Sequence, residues 1–127
     1  MGGEIIYQQS TDIGTVNSVL NSDVYGGYIT GMIFEGLIGA SVVDGKDVPT
    51  GLADGWEISA DGLEYTIMLN PNVTWHDGTP FTANDVVFSF KRAGEEGSDM
   101  KGYVGAIKEV IKVDDLTVDI VTKAVDP

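Results

Sequence analysis

Residues 51–92 read GLADGWEISADGLEYTIMLNPNVTWHDGTPFTANDVVFSFKR, from Gly51 to Arg92, and this stretch decides the fold class. Trp56-Glu57-Ile58 runs into Ser59-Ala60-Asp61-Gly62, and Asp-Gly between apolar runs is a strong hairpin signal. The next run alternates, with Leu63, Tyr65, Ile67 and Leu69 on one side and Glu64, Thr66, Met68 and Asn70 on the other. A period of two predicts a half-buried strand, not a helix. Asn70-Pro71-Asn72 breaks the ladder, because proline offers no N–H and asparagine tolerates positive φ. Val73-Thr74-Trp75 is expected to resume it, and His76-Asp77-Gly78-Thr79-Pro80 turns again. Thr82 with Asp85 three residues on is a variant capping box, opening a helix whose apolar positions are Ala83, Val86, Val87 and Phe90. Lys91 and Arg92 close that helix with positive charge, where its dipole favours it.

Outward from this stretch the signals weaken. Glu4 to Gln8 reads as a strand and Gln9 to Asn21 as a polar loop with a single helical turn. From Tyr25 to Leu37, Ile29, Met32, Ile33 and Leu37 recur at helical spacing and predict an amphipathic helix despite its glycines. Asp44-Gly45 marks a turn between short strands within 39–48. Residues 95–101 form a charged, glycine-broken loop, Tyr103 to Val113 mixes a helical turn with a strand start, and Leu116, Val118 and Ile120 alternate in a closing strand. Strands interrupted by two or three helices imply an α+β fold: a small, mostly antiparallel sheet with helices packed on it. Trp56, Trp75, Phe88 and Phe90 are expected in that core, since aromatic side chains dominate such cores.

With 127 residues, 43% of them hydrophobic, the chain is long enough to bury one core. No apolar run approaches the ~20 residues of a membrane span. The formal net charge is −13, and Lys46 is the only basic residue before Lys91. Such a surface repels phosphate backbones and anionic lipid, which removes nucleic acid as a partner, and it attracts cations at long range. An acidic shell that keeps the protein in solution is the simpler account of the charge. There are no cysteines, hence no disulfides and no thiolate metal site.

Neither catalysis nor metal binding is expected. His76 adjoins Asp77, but neighbouring strand residues point to opposite faces and cannot share a proton. The Asp77 carboxylate is better read as a turn former accepting backbone N–H bonds. One histidine and no cysteine cannot complete a structural zinc site, and Asp114-Asp115 is too short for a calcium loop. The expected cofactor list is empty.

The order of these pieces resembles the N-terminal part of the extracytoplasmic solute-binding proteins of the oligopeptide/dipeptide/nickel family, which feed ABC importers. The resemblance rests on Glu35-Gly36-Leu37, on Leu52-Ala53 with Trp56, Ser59 and Asp61-Gly62, on Tyr65-Thr66, on the run Trp75 to Val86, and on Arg92. Asp114-Asp115 with Thr117-Val118 fits a later strand pair of that family. One departure is Asn70-Pro71-Asn72, where family members carry a basic residue and a glycine.

The resemblance implies part of the first lobe of a type II periplasmic-binding-protein-like fold. Residues 1–21 would be a leading strand and loop of the main lobe, and 22–127 the small subdomain, with the second lobe absent. Met1-Gly2-Gly3 and the end at Pro127 are read as the limits of an excised fragment. The implied function is capture of oligopeptides or dipeptides outside the membrane by two-lobe closure, for delivery to the membrane subunits of an ABC permease. The implied location is periplasmic or at the cell surface, with a lipoprotein anchor allowed. Oligosaccharide or nickel-chelate specificity, or a self-standing extracellular interaction module, stay open as alternatives. The implied ligand contacts are Ser22, Asp23, Val24 and Tyr25, whose extended backbone would pair with a peptide, and Tyr103 in the loop after the Arg92-ended helix. Residues 22–25 are equally readable as the cap of the following helix, and Tyr103 as a packing residue. A leading strand at 4–9 without its neighbours offers an open edge, from which a fragment dimer is expected.

Overall fold

The computed structural model describes residues 3, 6, 8–41, 43, 45–49 and 51–125. The expected leading strand depends on residues 4, 5 and 7, which lie outside the described residues. After a 3-10 turn at Ser18–Leu20, α1 runs Val24–Ile33, followed by a two-stranded antiparallel ribbon, β1 (Ile38–Ala40) with β2 (Asp47–Pro49). The main sheet contains β3 (Ala53–Ile58), β4 (Glu64–Leu69), β5 (Ile107–Asp114) and β6 (Thr117–Thr122), with α2 (Ala83–Ala93) between β4 and β5 in sequence. Its spatial order is β3-β4-β6-β5 and every pairing is antiparallel. The α+β architecture read from the sequence is therefore the one observed.

Local chemistry explains the joints. At the β3–β4 hairpin the Ser59 hydroxyl donates to Asp61 Oδ1 at 2.7 Å and accepts from the Glu64 N–H at 3.0 Å, while Gly62 takes φ +71°. That backbone angle suits glycine, which has no Cβ to clash. At α2, Asp85 Oδ2 accepts from both the N–H (2.8 Å) and the hydroxyl (3.0 Å) of Thr82, as the capping-box spacing predicted. A second helix-start N–H, that of Ala83, donates to the Asp115 carbonyl in the β5–β6 turn at 2.9 Å and pins helix to sheet.

The core lies where α2 meets the sheet. Ile67 and Val118, register partners on β4 and β6, are fully buried, with Ala53, Leu69, Phe81, Ala83 and Val86 around them. Each aliphatic side chain fully buried in this way contributes about 1.5–3 kcal/mol. The alternation read from the sequence holds: Ile67 and Leu69 are buried, while Glu64 and Met68 are exposed.

Four expectations differ. Val73-Thr74-Trp75 adds no strand to the sheet. It makes a single bridge, Thr74 to Pro80, closed by Trp75 N–H to Thr79 O at 2.8 Å and Phe81 N–H to Val73 O at 3.1 Å. Asn70 turns the chain without positive φ, because its side chain accepts the Asn72 N–H at 2.9 Å. The first helix stops at Ile33, and Leu37 leads into β1 instead. Nor is it amphipathic against the sheet: Gly26 is its one buried residue, while Val24, Tyr28, Met32 and Ile33 are exposed. Finally, Phe88 is 63% exposed on the outer side of α2, and Trp75 is half exposed, its ring meeting the core residue Phe81 edge-on at 5.9 Å, while Trp56 and Phe90 pack against the core as expected. Phe88 sits two positions from both Val86 and Phe90, about 200° around the helix and off the inward stripe.

Candidate functional site

Residues 22–25 form the start of α1. Asp23 is extended (φ −88°, ψ 148°) and its carboxylate accepts the Gly26 N–H at 2.6 Å, while Gly27 N–H reaches the Asp23 carbonyl at 3.0 Å. Val24 and Tyr25 already belong to the helix, so the four residues straddle its start and do not form one extended run. The amide hydrogens of Val24 and Tyr25 have no acceptor among the described residues. First-turn N–H groups in that state are donors available to an anionic or carbonyl group. Val24 is 66% exposed. Tyr25 is half-buried: its hydroxyl accepts from the Ser10 hydroxyl at 2.8 Å, and Gln9 Nε2 donates to its carbonyl at 3.1 Å. Ser22 is exposed.

Tyr103 lies in the turn-rich loop between α2 and β5 and is 82% exposed. Its loop is fastened to the segment before α1. The Val19 carbonyl accepts both the Asp99 N–H at 2.9 Å and the Ser98 hydroxyl at 3.3 Å. Val19 precedes Ser22 by three residues and Asp99 precedes Tyr103 by four, so the two candidate segments share one flank of the molecule.

Asn21 is the residue the sequence reading missed. It is 8% exposed, its Oδ1 accepts the Asp23 N–H at 3.0 Å, and its Nδ2 has no partner among the described residues. The amide lies on Gly26, where an added Cβ would fall 2.3 Å from Nδ2. The glycine in the first turn thus admits the side chain that orients the Asp23 cap. An Asn two positions before an Asp cap, followed by a first-turn Gly, was the available signal.

The His76–Asp77 pair is a turn. Asp77 Oδ1 accepts from the Thr79 N–H at 2.9 Å and from the Thr79 hydroxyl at 2.7 Å, and these two bonds, the N–H first, hold its carboxyl below the usual carboxylate range. Asp61 is lowered likewise, by the Ser59 hydroxyl and then the Leu63 N–H, and Glu96 by the Lys101 ammonium. All three sit in turns and loops. Among the described residues, no group of three or more His, Asp or Glu side chains is placed to hold a metal ion, and no helix is long and apolar enough to cross a membrane.

Comparison with known proteins places this geometry. Residues 47–127 match the family described as bacterial extracellular solute-binding proteins, family 5 Middle. The dipeptide-binding protein of Lactococcus lactis subsp. cremoris is 34% identical over 107 residues, which is 80% of this chain and 19% of that protein. Among solved structures, Listeria monocytogenes OppA bound to peptide superposes with a TM-score of 0.83 at 28% identity, over 93% of this chain and 26% of that one. NikZ from Campylobacter jejuni in complex with Ni(L-His) gives 0.76 at 30% identity, over 88% and 22%. The chain therefore spans about a fifth of the length of the curated relative and about a quarter of the solved structures.

Proposed function

Since the chain belongs to the bacterial extracellular solute-binding proteins of family 5, we propose that it is part of a receptor that captures peptides outside the membrane for an ABC importer. The proposed parent closes two lobes around the solute and presents the closed form to the permease subunits. In this reading residues 1–21 belong to the main lobe and 22–127 form the small subdomain of the first lobe. The observation that carries peptide over other solutes is the 34% identity to a dipeptide-binding protein across 80% of the chain. The open Val24 and Tyr25 amides supply the chemistry: backbone donors bind a peptide carbonyl or carboxylate without regard to side chains. Ser22, Asp23, Val24, Tyr25 and Tyr103 are the proposed contacts, with the Asp23 carboxylate already engaged as the helix cap. The proposed location is periplasmic or at the cell surface, the latter through a lipid anchor.

The likeness to NikZ with Ni(L-His) favours a second reading, a nickel chelate as solute. Calorimetric titration of the full-length protein separates them. A pooled set of di- to pentapeptides should release or absorb heat saturably, whereas Ni(L-His) should not. Saturable heat with the nickel chelate alone would replace the first reading by the second. The 127-residue chain, bearing one face of the proposed clamp, should bind neither tightly. An open edge at residues 4–9 is further proposed to pair two copies of this chain, and a monomer mass by light scattering at high concentration removes that idea.

A further inference from the structure

A cavity of about 410 Å³ lies between α2 and the edge strand β5. On the helix side its wall is Val87, Phe90, Lys91 and Gly94, one stripe at i, i+3, i+4 and i+7. On the strand side four consecutive residues, 107–110, border it. Strict alternation would send every second one to the other face of the sheet. The β5–β6 register skips Lys108, however, and such a bulge re-aims the side chains around it. Val104, half-buried in the loop between helix and strand, completes the lining.

The charge here differs from that of the rest of the molecule. The chain carries −13, and most of its few cations are engaged: Arg92 pairs with Glu95, Lys101 with Glu96 and Lys112 with Asp115, and the Lys123 ammonium donates to the Gly105 carbonyl. Lys91 and Lys108 have no acceptor among the described residues, and both border this one cavity, one from each wall. The dipole of α2 favours a cation in its last turn, but Arg92 supplies one, and the dipole does not account for Lys108. A lone lysine beside an apolar stripe would merely shield it with its stem. Two from opposite walls bring a pair of ammonium groups to an apolar lining. Against them stands the Glu109 carboxylate, since Glu95 is held by Arg92.

We propose that this cavity binds a small amphipathic anion: a carboxylate held between Lys91 and Lys108, on an apolar body lying against Val87, Phe90 and Val110. At the ~30 Å³ that one water occupies in the liquid, the volume holds about a dozen non-hydrogen atoms, at the lower end of small-molecule sites. A polyanion is repelled by the whole-molecule charge. A monoanion in the cavity, with a screening length of about 8 Å at physiological salt, meets mainly the two ammonium groups. The site shares no residue with the proposed solute contacts.

Octanoate is the probe, with octanamide (the same body without charge) and inorganic phosphate (charge without the body) as controls. Methyl NMR of the full-length protein reads Val87, Val104 and Val110 against Ile67 and Ile120, which line a separate cavity of about 750 Å³ with no lysine in its wall. Octanoate should shift the valine methyls saturably, and octanamide and phosphate should each bind at least about fivefold more weakly. Lys91→Gln and Lys108→Gln should each weaken octanoate about three- to fivefold, the range of an exposed ion pair. Glu109→Gln should bind it more tightly, a gain that a folding defect cannot imitate. Any one of four results overturns the proposal: no saturable shift at the valines, shifts confined to Ile67 and Ile120, a control that binds as well as octanoate, or lysine and Glu109 variants with unchanged affinity.

Discussion

A Cβ on Gly26 would lie 2.3 Å from Asn21 Nδ2, and this single contact sets two helix rules against each other. Alanine in place of glycine inside a helix gains about 1 kcal/mol from propensity. Forcing a methyl into an occupied site costs about 1–3 kcal/mol, and moving Asn21 also breaks its 3.0 Å bond from the Asp23 N–H, worth about 1 kcal/mol. The cost wins. Gly26→Ala should destabilise by about 1–3 kcal/mol in a denaturant titration. In an Asn21→Ala background the clash is gone and the same change should stabilise, so a gain in both backgrounds would show that Asn21 does not seat there. A second residue-scale effect is electrostatic. The Ser59 hydroxyl is the largest cause of the low Asp61 carboxyl. A folded-state value below the unfolded one contributes stability above the unfolded value, and that stability is lost as pH falls through the folded one. Ser59→Ala should therefore move the Asp61 midpoint in a carboxyl-carbon NMR titration up toward the ordinary value near 4, leaving Asp77 where it is. The Asp61 turn was legible from Asp-Gly alone. Asn21 was not, because burial beside a glycine five residues along the chain leaves no periodicity to read.

Among the elements, α2 shows why local signals succeed. Its start, its inward stripe and its basic end are all written within eleven residues, and each forms as read, down to the two bonds from Thr82 to Asp85. Asp85→Ala removes both bonds and the favourable charge at the helix start, and should cost about 0.5–2 kcal/mol by denaturant titration. Thr82→Ala, which keeps the backbone bond, should cost less; the reverse order would mean the hydroxyl, not the carboxylate, carries the cap. The strands β3, β4 and β6 were legible for the same reason, since a hairpin turn and strict alternation fix face and register together. The first helix shows where such reading stops. Apolar residues at helical spacing predicted a face toward the sheet, but a stripe says only that a partner is wanted, not where it is. Met32 is 68% and Ile33 44% exposed. Val73-Thr74-Trp75 fails for a related reason: three β-prone residues are a strand only if a neighbouring strand is free, and β3 and β6 already flank β4.

Across the whole molecule the charge is uneven as well as large. Residues 1–90 hold twelve carboxylates against Lys46 alone, while residues 91–127 hold eight against six basic side chains. Arg92–Glu95, Lys101–Glu96 and Lys112–Asp115 pair within the second stretch. The half that carries residues 22–25 thus sits in a field of its own carboxylates, with the sequence offering almost no cation to offset it. Like charges confined to a compact body repel, and unfolding relieves the repulsion by separating them. Salt opposes this, because the screening length falls from about 30 Å at 0.01 M to about 3 Å at 1 M. It also weakens the three exposed ion pairs, but such pairs are worth about 0–1 kcal/mol each at most. With a net charge of −13, repulsion is the larger quantity. The melting temperature at neutral pH should therefore rise as sodium chloride is raised across that range, and rise less in a variant whose exposed Glu57 and Glu64 on β3 and β4 are changed to glutamine. A melting temperature that is flat or falls with salt would mean that attraction within the second stretch outweighs repulsion in the first, and that the acidic surface is balanced by contacts local enough to escape screening.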